Sequence, residues 1–467
     1  MLFRTLFICS LSLLVVQSRT LHYNVQNVEY DKIVRGVNLG GWLLMEPYIT
    51  PSLFEAASNA TSRANSSLYN ISSGVPKDEY TYCQMLGYHE CKKRLEGHWS
   101  SFYRRNDFFQ MARFGLTHVR IPIGYWGFEV KKNDAFVQGQ EKYLDDAIDW
   151  CREAGISVWI DLQGLPGSQN GMPNSGRIKQ TGWLNEGNQN LTLKILDYIS
   201  KKYGSDRYND VVEAVQVVSE AIPGPMPLRL LYFYSDAFDT IRENSNLTIV
   251  FSDALAEMDT WEHLLLTNGT APYSNFFFDK HEYPALMPDL IRRPIENKVN
   301  AVCQEGMILK SSKLPVIVGE WSAALTDCAK YYNGVGVGHY YDGTIPNVPP
   351  GGDCEHQNDI NQWTIDELNN HRRYVESQLE AWEQAGGWFF SNYKTESAVS
   401  FDFFNLVRAG VIPFPLNQRK YPGICEYNSY NDTGNHNHNE TLGWNSTENT
   451  GNPNCNDTLG YNSTQLF

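Results

Sequence analysis

Eight short apolar stretches, each set apart by a longer run of helical periodicity, recur between Ile33 and Phe390. They are Ile33–Leu39, His118–Ile121, Ser157–Leu162, Val215–Ser219, Thr248–Ser252, Asn275–Asp279, Val316–Gly319 and Gly387–Phe390. Amphipathic runs lie between them, among them Tyr143–Glu153, Leu191–Tyr203, Leu228–Arg242, Pro294–Leu309 and Ile365–Ala385. Strands that alternate with helices pair in parallel through crossovers. Eight such units close into a (β/α)8 barrel of the α/β class. A doubly wound sheet is the alternative, but no Gly-rich phosphate loop follows any strand. The clearest strand is Leu314-Pro315-Val316-Ile317-Val318, buried on both faces by its composition and ended by Gly319-Glu320-Trp321. A carboxylate with a large aromatic neighbour is therefore expected at that strand's mouth, where a sugar ring would stack. Taken alone, Glu320 reads equally well as a cap or a solvated surface acid.

Barrel chemistry gathers at the C-terminal ends of the strands. Those positions carry Asn38, Arg120, Asp161 with Gln163, Ser219 with Glu220, Asp253, His281 with Tyr283, Glu320 and Ser391. Asp161, Asp253 and Asp279 also have structural readings as caps or partners of Arg120, and His281 as a satisfied core histidine. The convergence of so many polar side chains favours a site over eight separate explanations. Glu220 and Glu320 form the pair that glycoside hydrolysis needs, one to give a proton to the leaving oxygen and one to attack or to activate water. Two strand ends across a small barrel hold such groups about 5 Å apart, the retaining geometry. The proton donor needs its pKa raised by burial or by a neighbouring charge.

Composition narrows the class. The chain has 467 residues, 42% hydrophobic and 13% aromatic, enough for one large core with insertions. A formal charge of −15 argues against nucleic acid or an anionic membrane as partner. Residues 1–18 read as a secretion signal: Arg4 precedes an apolar run from Leu6 to Val16 that is too short to span a membrane. Asn59, Asn65, Asn70, Asn190, Asn246, Asn268, Asn431, Asn439, Asn445, Asn456 and Asn462 each begin an Asn-X-Ser/Thr triplet. No cysteine or histidine array suggests a metal. Eight cysteines remain after the signal, and most should pair in an oxidising compartment. Cys151, inside a helical pattern, reads as a buried free thiol. The domain is expected over residues 19–425, with residues 426–467 a disordered, glycosylated tail rich in Asn, Thr and Ser.

Four stretches are more specific: Arg35–Tyr48 (RGVNLGGWLLMEPY), His118–Trp126 (HVRIPIGYW), Gly164–Gly171 (GLPGSQNG) and Gly319–Lys330 (GEWSAALTDCAK). Together they resemble the secreted fungal exo-β-1,3-glucanases, the glucan 1,3-β-glucosidases of glycoside hydrolase family 5, from about Val34 to Cys425. The resemblance implies a (β/α)8 fold and a retaining mechanism that releases glucose from the ends of β-1,3-glucan, by a secreted or wall-associated monomer without cofactors. It makes Glu320 the nucleophile, Glu220 the acid/base and Arg120 the group that positions the nucleophile. His281 and Tyr283 match a His-x-Tyr pair near the cleaved sugar, and Glu46 an acid that binds the terminal glucose. It also implies the pairs Cys328–Cys354 and Cys303–Cys425. Three substrate-binding positions depart from the family pattern: Gln163 replaces a histidine, Ser219 an asparagine and Ser391 a tryptophan. These changes imply weakened catalysis. A catalytically weak or inactive glucan-binding protein and a transglycosylase or other β-glucosidase are the alternatives.

Overall fold

The computed structural model describes residues 23–24, 32–61, 74–222, 227–267 and 270–426. The expected signal and the tail beyond Glu426 lie outside the described residues, as do eight of the triplet asparagines and the side chain of Asn59. Asn190 and Asn246 are exposed.

Eight parallel strands close into a barrel: β1 (Val34–Asn38), β2 (His118–Gly124), β3 (Ser157–Gly164), β4 (Val212–Gln216), β5 (Thr248–Ser252), β6 (Phe276–Glu282), β7 (Val316–Trp321) and β8 (Gly387–Phe390). Each pairs with its sequence neighbour, and β8 returns to β1. A two-residue antiparallel pair, Tyr23–Asn24 with Thr270–Ala271, lies apart from the barrel sheet. Helices follow every strand. Some boundaries have local causes: Thr364 and Glu367 form a reciprocal capping box that starts Ile365–Trp382, and Gly155 at φ 71 ends Gln140–Ala154 in the left-handed region. Four helices (Pro51–Thr61, Glu79–Leu86, Tyr88–Trp99 and Arg105–Arg113) fill the long connection from β1 to β2. Among the described residues no helix is long and apolar enough to cross a membrane.

Period-two alternation decides what faces the lumen. At its floor Val34, Trp159, Ala214, Val250, Ile317 and Phe389 pack together with Phe277 against them. Two residues further along β3, β4 and β6, the same faces present Asp161, Gln216 and Asp279.

Strand β7 breaks the alternation. Lys280 pairs with Val318 but His281 pairs with Glu320, and on the other side Trp388 pairs with Val318 and Phe390 with Trp321. Gly319 is thus an extra residue, a β-bulge shared by both neighbours. A side chain at 319 would strike the Asp279 carboxylate, so glycine is required there. The bulge turns Glu320 into the lumen and sends Trp321 outward. Trp321 is fully buried, edge-on to Trp388 at 5.4 Å and Phe390 at 4.9 Å. The expectation of a sugar-stacking ring beside Glu320 is corrected here: Trp321 belongs to the layer between barrel and helices.

Strand β4 also differs, running three residues earlier than expected. Five of the seven residues of Val212–Val218 are apolar, and the polar Glu213 and Gln216 stand three apart, so sequence gives the stretch no phase. Its ladder ends at Gln216, opposite Val250. Disulfides join Cys303 to Cys425 and Cys328 to Cys354 as the resemblance implied. A third, Cys83–Cys91, ties the first two helices after Pro51–Thr61 together, and Cys151 is free and buried.

Candidate active site

Arg120, on β2 and 1% exposed, is the hub of the upper lumen. Its Nη1 donates to Asn38 Oδ1 at 2.7 Å and to Glu320 Oε1 at 3.2 Å. Its Nε donates to Gln216 at 2.9 Å, and its Nη2 lies 3.1 Å from Asp161 and 3.5 Å from Asp279. Asn38 in turn donates to the carbonyls of Gly319 (2.9 Å) and Phe390 (3.1 Å), which fastens β1 to the bulge and to β8. A buried guanidinium spread over this many acceptors is pre-organised for charge beside it.

Glu320 takes a second hydrogen bond, from the Tyr283 hydroxyl to Oε2 at 2.9 Å. Glu220 follows β4 through Val217 and Val218, with its own backbone in the left-handed region at φ 46. A non-glycine residue held there marks local strain, common where a side chain must be aimed. Its Oε1 lies 2.8 Å from His281 Nδ1, and its Oε2 accepts from the amides of Asn174 and, at 3.3 Å, Asn170. The other ring nitrogen of His281 faces Asp279 at 3.1 Å. One nitrogen of His281 and one oxygen each of Glu220 and Glu320 lie within 4.8 Å of one another.

The charges follow from this packing. Burial opposes protonation of His281, but Glu320 and Asp279 outweigh it and hold its pKa well above the ordinary value. His339, Asp342 and Cys354 also converge, yet Cys354 is tied in a disulfide and offers no thiolate. Burial pushes Glu220 up, but the His281 bond and charge and the Asn174 amide bring it below the usual carboxyl range. Burial keeps Glu320 above its ordinary value against His281 and Arg120, with the charge of Glu220 adding to the rise. Burial and then the charges of Glu320 and Glu220 raise Glu46 well above its ordinary value.

The remaining expected residues fall into two groups. Gln163 and Ser219 turn to Arg120 Nη2, at 3.4 and 3.1 Å, and Ser219 is fully buried. Both substituted side chains thus hold the arginine, and the Gln169 amide fixes their carbonyls at 2.6 and 3.0 Å. Ser391 is 4% exposed and its hydroxyl has no partner. Asp253 caps its own loop through Leu255 N at 3.1 Å. Sequence reasoning missed Tyr48, which accepts from the Asn392 amide at 3.0 Å, as well as Asn170, Asn174 and Gln216. The asparagines stand in or beside the GLPGSQNG stretch, the one signal that could have found them.

No protein-family model matches the chain. Full-length relatives do. The chain is 43% identical over 420 residues to a glucan 1,3-beta-glucosidase of Candida oleophila, covering 89% of this chain and 95% of that one. The chain belongs to the glucan 1,3-beta-glucosidase family. A Saccharomyces cerevisiae member, glucan 1,3-beta-glucosidase I/II, is 38% identical over 418 residues, covering 88% of this chain and 91% of its own. Among solved structures, a rutinosidase from Aspergillus niger superposes with a TM-score of 0.62 at 18% identity, over 82% of this chain and 99% of that one, a likeness of fold. For a glucan 1,3-beta-glucosidase, two carboxyls this close, with a cation between them and a guanidinium behind one, form an arrangement able to protonate one side of a glycosidic bond and attack the other.

Proposed function

We propose that this chain is an extracellular retaining glucosidase that releases glucose from the non-reducing ends of β-1,3-glucan. The observation that carries the reading is that one oxygen of Glu220 and one of Glu320 lie within 4.8 Å of each other, which suits the retaining spacing of about 5–5.5 Å. Glu220 gives its proton to the glycosidic oxygen while Glu320 attacks the anomeric carbon. The leaving chain departs with that proton and a glucosyl ester remains on Glu320. Glu220 then takes a proton from water, whose oxygen displaces Glu320 and restores the β-configuration. His281 and Asn174 make Glu220 the more acidic of the two, the reverse of what the first step needs. Positive charge developing at the anomeric carbon favours the Glu320 carboxylate, so of the two carboxyls the proton belongs on Glu220 as the glycosidic bond opens.

Laminarin digestion followed by proton NMR tests this directly. Glucose should appear first as the β-anomer, and α-glucose, internal oligosaccharides or no release would each contradict the proposal. Ser219, buried on Arg120 with no hydroxyl facing a sugar, favours slow turnover and keeps the glucan-binding reading as its rival; measurable glucose release excludes that rival. Secretion is supported by the Leu6–Val16 run and by the disulfides. Protein collected from the medium should begin near Arg19, and an intact Met1 would contradict it.

A further inference from the structure

Ser391 stands where the family pattern has a ring, and an aromatic from another element packs against two residues tied to the site. Tyr332 lies in the long connection between β7 and the helix Ile365–Trp382, directly after Tyr331, whose backbone is left-handed at φ 64. Its ring packs on Phe401 with centroids 5.1 Å apart and meets Tyr48 edge-on at 5.7 Å. Both neighbours lead into the site. Tyr48 sits two residues from Glu46 and accepts from Asn392, the residue after Ser391. Phe401 abuts Tyr283 at 6.3 Å, whose hydroxyl holds Glu320. Tyr332 is partly exposed. Burial and then the charges of Glu220, Asp327 and Glu320 hold its phenol above the ordinary value, which places the ring in the field of both carboxylates.

We infer that Tyr332 contacts the terminal sugar and that its ring takes over the aromatic wall missing at Ser391. The sugar is then gripped from the connection after β7 instead of from the end of β8. Aromatic faces suit the apolar face of a pyranose. A tryptophan at 391 and a tyrosine at 332 become alternatives for one space, so each should matter only when the other is absent.

The inference rests on the glucosidase reading, and calorimetry separates the two. Laminaritriose binding is measured in a Glu320→Gln background, where nothing is cleaved. Tyr332→Ala should weaken binding about tenfold, equivalent to about 1.4 kcal/mol, and Tyr332→Phe should stay within about twofold of the parent. Adding Ser391→Trp to Tyr332→Ala should recover most of the loss, while Ser391→Trp alone should weaken binding. Tyr332→Leu keeps apolar packing on Phe401 and Tyr48 and serves if the alanine variant does not fold. Unchanged binding in a folded Tyr332→Ala or Tyr332→Leu protein overturns the contact, and failure of Ser391→Trp to rescue overturns the shared space. A parent that binds laminaritriose but releases no glucose from laminarin sinks the glucosidase reading alone.

Discussion

The floor and the upper part of the barrel lumen are built by the same strands, a few residues apart, and share almost no chemistry. At the floor Trp159, Ile317, Val250 and Phe389 fill the space with apolar bulk. One or two alternations higher, the same faces carry Asp161 and Gln163 on β3, Asp279 and His281 on β6 and the unpartnered Ser391 after β8. The floor gains from every buried methylene. The upper lumen gathers five carboxyls (Glu46, Asp161, Glu220, Asp279 and Glu320) around Arg120 and His281, an arrangement that burial penalises unless partners compensate. A barrel can carry so demanding a cluster because a separate, ordinary core closes it from below.

That division is open to breakage from either side, and the largest effect belongs to the upper part. Glu220→Ala should slow hydrolysis of substrates with poor leaving groups by about 10²–10⁴-fold, while aryl glucosides with activated leaving groups lose much less at the glycosylation step. Added azide should yield the β-glucosyl azide, and equal loss on both substrate types would make Glu220 structural. Trp159→Ala, at the floor, should cost about 3–5 kcal/mol in chemical denaturation while the folded fraction keeps its KM. A large KM change at full folding would show that the two parts are not separable.

Gly319→Ala attacks the seam between them. The new Cβ meets the Asp279 carboxylate, so about 1–3 kcal/mol of stability should go, with a fall in kcat as Glu320 is re-aimed. Stability lost without loss of kcat would sever the bulge from catalysis. A pH-dependent effect concerns Glu79, which is fully buried, accepts from Met45 N at 3.0 Å and Trp126 Nε1 at 2.8 Å, and so steadies the segment bearing Glu46. Burial raises its pKa from 4.5 to about 8. The folded protein therefore keeps this proton where the unfolded chain releases it. The contribution is complete below about 4.5 and is lost as pH rises towards about 8, by at most about 1.4 kcal/mol per pH unit. Denaturation midpoints of Glu79→Gln across that window should fall less steeply than those of the parent, and parallel curves would refute the linkage.

Much of this was legible in the sequence, for physical reasons that also mark where it stopped. Seven strands announced themselves by apolar runs bounded by polar residues, and their ends named Arg120, His281, Tyr283, Glu220 and Glu320, which the fold brings together. β4 was misplaced by three residues because Val212–Val218 offers no alternation to read. The sequence places Trp321 beside Glu320 at the strand mouth, but the bulge at Gly319 that turns its ring outward depends on the Asp279 side chain of another strand, which no local pattern records. Ser219 and Gln163 could be flagged as substitutions, but their shared hydrogen bond to one nitrogen of Arg120 joins three strands. Tyr48 closes the Arg35–Tyr48 stretch and Tyr332 lies in an irregular connection with no period, so only packing brings their rings together on Phe401.

The central claim is that Glu320, turned into the lumen by the Gly319 bulge, forms a covalent bond to glucose. A 2-deoxy-2-fluoroglucoside with an activated leaving group traps that ester, and peptide mass spectrometry locates it. The account predicts a single labelled peptide with the added mass on Glu320, absent from Glu320→Gln. A label on Glu220, on Glu46 or on no residue in an active preparation would contradict it.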